Sequence, residues 1–162
     1  MNKDEISEHY LYPGNIFAHM DPHVVTTVLG SCVSVCFWDS KLRVGGINHY
    51  MLPLWNGEGL ATPKYGNIAI TKLYDKMISF GCKHVNLKAK VFGGGEVLAV
   101  KSSIMNVGER NIILARDMLK KMKVQIVSSD LGGRTGRKIL FNTNTGTVLL
   151  KKLSKQVDDF KP

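Results

Sequence analysis

Cysteine is scarce in this chain: three residues in 162, an odd number, in a protein too long to need disulfide staples. Cys32 and Cys36 do not form a Cys-x-x-Cys pair and no second pair exists, which argues against a structural zinc site and leaves the expectation that no metal is bound. No apolar run approaches the roughly 18 residues a membrane helix needs. The N-terminus, Met-Asn-Lys-Asp-Glu-Ile, carries charge where a secretory segment would be apolar. Together these predict a cytoplasmic protein with free thiols and no membrane insertion. Gly93-Gly94-Gly95 lacks both the Gly-Lys-Ser/Thr of a phosphate loop and the Gly-x-Gly-x-x-Gly spacing, so no nucleotide cofactor is expected. The net charge of +9 favours acidic partners, but the basic residues are scattered without an aromatic-interleaved stripe, and nucleic acid is not the expected partner.

What the chain has is the composition of one folded domain, 44% apolar and 22% charged. The expected domain covers residues 1–162, with a polar arm over about 1–12 and a frayed tail over about 154–162. Two apolar runs, 24–38 and 43–52, read as strands joined by a polar turn near Asp39 to Arg43. A glycine- and proline-rich loop follows Pro53. Spacing then turns helical over 67–80, where Ile70, Leu73, Tyr74 and Met77 form a stripe and Gly81 supplies the stop. Alternation over 84–92 predicts a strand, and a second helix runs over 109–122 with Ile112, Ala115, Leu119 and Met122 inward. Strands are expected over 124–128, 138–141 and 147–153, the last two joined by a hairpin turn at Asn142 to Gly146. Two helices between two strand-rich halves give the class α+β, a layered α/β sandwich with mixed β-sheet.

The chemistry concentrates in the first two strands. A hairpin between them returns the end of the second beside the start of the first, which would bring His49 near Cys32. A thiol beside an imidazole is the arrangement of an activated cysteine nucleophile, and the Leu29-Gly30-Ser31 corner before Cys32 would leave backbone amides free for an oxyanion. The bland alternative is core packing, favoured for Cys36 by the burial habit of free cysteine. His19 and His23 have a helical metal spacing, but Pro22 makes them loop histidines. A regulator holding metal through Cys32, Cys36 and histidine is a further alternative.

Leu29-Gly30-Ser31-Cys32 followed by Gly45-Gly46-Ile47-Asn48-His49-Tyr50-Met51-Leu52-Pro53 resembles the signature of the chemoreceptor glutamine deamidases, the CheD family. Phe92 to Gly95, the Asn106-Val-Gly-Glu-Arg-Asn111 helix start and Asp130-Leu-Gly-Gly-Arg134 fit the same family, so the resemblance spans nearly the whole chain. It implies a layered fold shared with the cysteine deamidases of bacterial toxins. It also implies a Cys-His-Thr triad that falls on Cys32, His49 and Thr26. Thr27 stands next door, and the choice between them depends on strand register. The implied activity is hydrolysis of glutamine side chains on chemoreceptor helices to glutamate, with some hydrolysis of glutamate methyl esters. The implied partners are those receptor helices and the chemotaxis phosphatase CheC. A member whose activity is silent would instead be a binding module docking on the phosphatase or the receptors.

Overall fold

The computed structural model describes residues 5–96 and 106–154. Nine strands form two mixed sheets. The smaller contains β1 (Ser7–Tyr10), β3 (His23–Leu29), β8 (Arg137–Asn142) and β9 (Val148–Lys152), in the order β1-β3-β8-β9 with β1 parallel to β3. The larger contains β2 (Ile16–His19), β4 (Val33–Asp39), β5 (Val44–Asn48), β6 (Leu87–Gly93) and β7 (Gln125–Leu131), in the order β2-β5-β4-β6-β7. Two helices, α1 (Gly66–Ser79) and α2 (Val107–Met122), cover one face of the larger sheet.

The layers follow from where the apolar faces point. Ile70, Leu73 and Met77 of α1 and Ile112, Ala115 and Leu119 of α2 are buried against Val33, Val35, Phe37, Ala89 and Val91. Burying each large aliphatic side chain is worth about 2 kcal/mol. The opposite face of the larger sheet, with Cys36, Ile47 and Phe92, packs on Val25, Leu29, Ile139 and Phe141 of the smaller sheet. The outer face of the smaller sheet is open, and Tyr10, Val28 and Leu149 are exposed on it. The layering is therefore helix, sheet, sheet, an α+β sandwich as expected.

Several expectations change. The apolar run 24–38 is two strands in different sheets, because the chain turns a corner at Gly30-Ser31-Cys32 and leaves the smaller sheet for the larger. The residues expected as a polar arm include β1, and Leu11 beyond it is 1% exposed, so this segment is part of the sandwich. His19 and His23 lie at the ends of β2 and β3 rather than in a loop, on either side of a tight turn in which His19 Nδ1 accepts from the Asp21 amide. Residues 155–162 of the expected tail lie outside the described residues.

The predicted helices and the late hairpin stand where periodicity put them. The second helix begins slightly earlier, at Val107, because the Asn106 side chain accepts from the Glu109 amide and caps it. Residues 84–86 form a short 3-10 turn before β6.

Candidate functional site

Cys32 sits at the point where the chain changes sheets. Its carbonyl accepts from Gly94 N at 2.8 Å, and the Gly30 carbonyl accepts from Gly95 N at 2.9 Å. Gly93 has φ +109, and a Cβ there would collide with the Cys32 carbonyl oxygen. The glycines after β6 are thus needed for backbone to lie directly on the cysteine corner. That close approach uses the feature that made the triple glycine conspicuous.

His49 is placed by the extension of the β4–β5 hairpin. Cys36 pairs with Ile47, and beyond β5 an isolated bridge pairs Val33 with Tyr50 through both N–H···O bonds. Continuing that register sets Ser34 opposite His49 and Cys32 opposite Met51, so the side chains of Cys32, Ser34 and His49 share one face. It is the face turned toward the smaller sheet. The opening segment of the chain holds His49 from the other side: Gly14 N donates to His49 O, and His49 N donates to Asn15 O.

The threonine partner is Thr27. Thr27 Oγ1 lies 2.7 Å from His49 Nδ1 and donates to the Leu11 carbonyl at 2.8 Å. Thr26 is corrected by strand parity: Val25, Thr27 and Leu29 point into the sandwich, while Thr26 points to the open outer face beside Val24 and Val28. A hydroxyl has one proton, and the Leu11 carbonyl can only accept. The proton on the Thr27 hydroxyl therefore goes to Leu11, and His49 Nδ1–H donates to Thr27 Oγ1. This assigns the tautomer, and it leaves Nε2 with its lone pair. Nε2 is buried and has no hydrogen-bond partner among the described residues.

Burial sets the resting charge state. Desolvation holds His49 down to about 4 from an ordinary 6.5. It pushes the Cys32 thiol up, partly offset by the cysteine's own backbone amide against the sulfur. At neutral pH the pair rests as thiol and neutral imidazole, not as an ion pair. Among the described residues no hydrogen bond joins Cys32 Sγ to Nε2, so a proton passes directly from sulfur to that nitrogen only if the two close up. Cys36, by contrast, is fully buried in the core with its thiol raised by desolvation, which fits a packing role.

The depressed imidazole has a consequence for stability. Between pH 6.5 and 4 the unfolded chain takes up a proton at His49 that the folded chain does not. Folding stability is then complete above about pH 6.5 and falls as pH drops toward 4, by on the order of 3 kcal/mol. Urea unfolding at pH 7 and pH 4.5 should show this loss in the native protein and a smaller one in His49→Gln. Equal losses in both would contradict it.

Residues 51–152 match the family model described as CheD chemotactic sensory transduction. A Trichlorobacter lovleyi protein named probable chemoreceptor glutamine deamidase CheD is 50% identical over 151 residues, covering 93% of this chain and 94% of that one. A Sulfurimonas denitrificans protein of the same name is 47% identical over 152 residues, covering 93% and 97%. An Anaeromyxobacter dehalogenans protein named probable chemoreceptor glutamine deamidase CheD 1 is 36% identical over 144 residues, covering 89% and 84%. The chain belongs to the CheD family. No helix among the described residues of this CheD-family chain is long and apolar enough to cross a membrane.

Two neighbours of the site make hydrogen bonds that sequence reasoning did not predict. Asn111 of α2 is buried, and its Nδ2 donates to both the Ser31 and Met51 carbonyls at 3.0 Å. The signal was present: Asn111 is four residues before Ala115, on the buried stripe of α2, where a polar side chain demands partners. Asn48 Oδ1 accepts from Val35 N at 2.8 Å, securing the hairpin beside His49. Nothing in a single sequence marks that bond in advance.

Proposed function

We propose that this chain hydrolyses the side-chain amides of selected glutamines on chemoreceptor cytoplasmic helices to glutamate, using Cys32 as nucleophile, His49 as base and acid, and Thr27 to orient the imidazole. The observation that carries the reading is the fixed tautomer: Thr27 and Leu11 leave His49 Nε2 bare on the face it shares with Cys32. The names carried by its relatives point to the same substrate class.

Cys32 Sγ adds to the glutamine carbonyl carbon as its proton passes to His49 Nε2. The imidazolium, whose Nδ1–H bond to Thr27 survives the transfer, then gives that proton to the departing ammonia as the C–N bond breaks. Water surrenders a proton to Nε2 and attacks the thioester, which releases glutamate and restores the thiol. A glutamate methyl ester follows the same path with methanol leaving. Because both charged forms are disfavoured by burial, proton transfer accompanies attack and no thiolate accumulates beforehand.

The exposed residues that follow His49 and those of the opening segment suit a helix with an apolar side. Met51 and Leu54, just after His49, and Tyr12 in the opening segment are exposed. The net charge of +9 would attract a glutamate-rich receptor helix. A CheC-type phosphatase presenting a receptor-like helix would occupy the same surface. The setting is the cytoplasm, where receptor signalling helices lie.

The test is mass spectrometry of a receptor cytoplasmic fragment incubated with the native chain. Each glutamine converted gains about one dalton, because an amide NH2 is replaced by hydroxyl. No gain on any glutamine of a fragment that other family members modify would overturn the reading, and a binding module would take its place.

A further inference from the structure

The Ser31–Cys32 peptide is held in a way that the triad does not explain. Three consecutive carbonyls around the nucleophile are taken by donors from other elements: Gly30 O by Gly95 N, Ser31 O by Asn111 Nδ2, and Cys32 O by Gly94 N. Among the described residues, no other residue accepts from the Cys32 N–H. The bond to Ser31 O is decisive, because Ser31 C=O and Cys32 N–H belong to one peptide plane. In a trans peptide the two point in opposite directions. Asn111 is on α2, which packs on the helix-covered face of the larger sheet. Drawing Ser31 O toward α2 turns the Cys32 N–H the other way, to the side where the thiol and the imidazole lie.

The second proton of the same amide secures the other strand. The β4–β5 ladder ends at the Val33–Tyr50 bridge. Just past it, among the described residues, no backbone N–H reaches the Ser31 or the Met51 carbonyl. The two hydrogens of a single carboxamide do. Asn111 O in turn accepts from Tyr50 Oη at 2.6 Å, which keeps the helix turn in place.

We infer that Asn111 is a positioning residue for the reaction: its carboxamide fixes the Ser31–Cys32 peptide plane so that the Cys32 N–H donates to the oxyanion formed when the thiol attacks. Asn111 touches neither substrate nor sulfur in this role; it acts through the peptide it holds. The inference rests on the deamidase reading, and its test separates the two.

The discriminating contrast is between acyl chemistry and simple displacement. Alkylation of Cys32 by iodoacetamide passes through no oxyanion, whereas deamidation does. In Asn111→Ala, kcat for deamidation of the receptor fragment should fall about 10²-fold with KM little changed, while the alkylation rate of Cys32 stays within about three-fold. Tyr50→Phe removes a buried hydrogen bond to the same residue but leaves the carboxamide clamp, and should keep deamidation within about three-fold. If the native chain deamidates and Asn111→Ala does so nearly as fast, the inference fails alone. It fails equally if deamidation and alkylation collapse together, or if Tyr50→Phe loses as much activity as Asn111→Ala. A native chain inactive on the fragment removes the deamidase reading, and the inference with it.

Should Asn111→Ala not fold, the native protein answers instead. With 15N labelling and a peptide carrying the aldehyde analogue of glutamine, the hemithioacetal at Cys32 should move the Cys32 amide proton downfield, and the Asn111 NH2 protons should remain protected from exchange. An unmoved Cys32 amide, or Asn111 protons exchanging at the rate of an exposed carboxamide, would overturn the inference.

Discussion

Cys32→Ala is expected to abolish glutamine conversion on the receptor fragment while leaving the fold intact. The side chain is half-buried and accepts no hydrogen bond from another of the described residues, and its backbone contacts with Gly94 and the Val33–Tyr50 bridge do not involve sulfur. Losing it therefore costs little packing and all of the covalent chemistry. Loss of a nucleophile that acts as one unit with its base commonly lowers kcat by about 10⁶-fold, beyond detection in a mass assay. Cys32→Ser is the sharper variant. It keeps the volume and the corner, but an alcohol in a site that disfavours charge cannot pass its proton to an imidazole held to about 4. Its rate should lie closer to that of alanine than to that of the native chain. A Cys32→Ala protein that still converts glutamine would place the chemistry elsewhere.

Thr27→Val should be severely impaired where Thr26→Val is nearly silent. Valine matches threonine in shape but removes the hydroxyl, so the change at 27 leaves Leu11 O without its donor and His49 Nδ1 without its acceptor, both inside the sandwich. Unsatisfied buried groups cost about 1–3 kcal/mol of stability. The larger loss is catalytic. Without Oγ1 the imidazole is no longer held in the Nδ1–H tautomer, and a wrong tautomer presents N–H instead of a lone pair to the thiol. Loss of the orienting group in comparable triads costs up to about 10⁴-fold; a threonine, carrying no charge, should cost about 10²-fold. At position 26 the side chain faces the open side of the smaller sheet beside Val24 and Val28, where valine is as good a strand residue as threonine. Steady-state deamidation by the two variants decides the matter, and equal losses would refute the assignment to Thr27.

Much of this site is legible in the order of its residues. The polar turn after Asp39 announces a hairpin, the hairpin brings His49 back toward Cys32, and the Leu-Gly-Ser corner places the thiol at a break in the sheet. The helices are legible because Ile70, Leu73 and Met77, and Ile112, Ala115 and Leu119, repeat at helical spacing over enough turns to leave no competing period. Asn111 is half legible: a polar residue on that stripe requires a partner, but the sequence does not say that the partners are the Ser31 and Met51 carbonyls, 80 and 60 positions away.

The choice between Thr26 and Thr27 was beyond the sequence for a different reason. In a strand, neighbouring residues face opposite ways, and the run from Val24 to Trp38 contains a sheet change that periodicity does not register, because both halves are equally apolar. Which parity points inward depends on which sheet packs where.

The amino-acid sequence by itself determined the two helices and the hairpins, since these depend on local spacing and turn chemistry, and its resemblance to a family singled out Cys32 and His49. Only the tertiary structure decided that the chain crosses between sheets at Cys32. Only it brought Thr27, Leu11 and Asn111 to the pair from three other segments, because such contacts are set by the stacking of one sheet on another and of a helix on both strand ends, at separations no local pattern encodes.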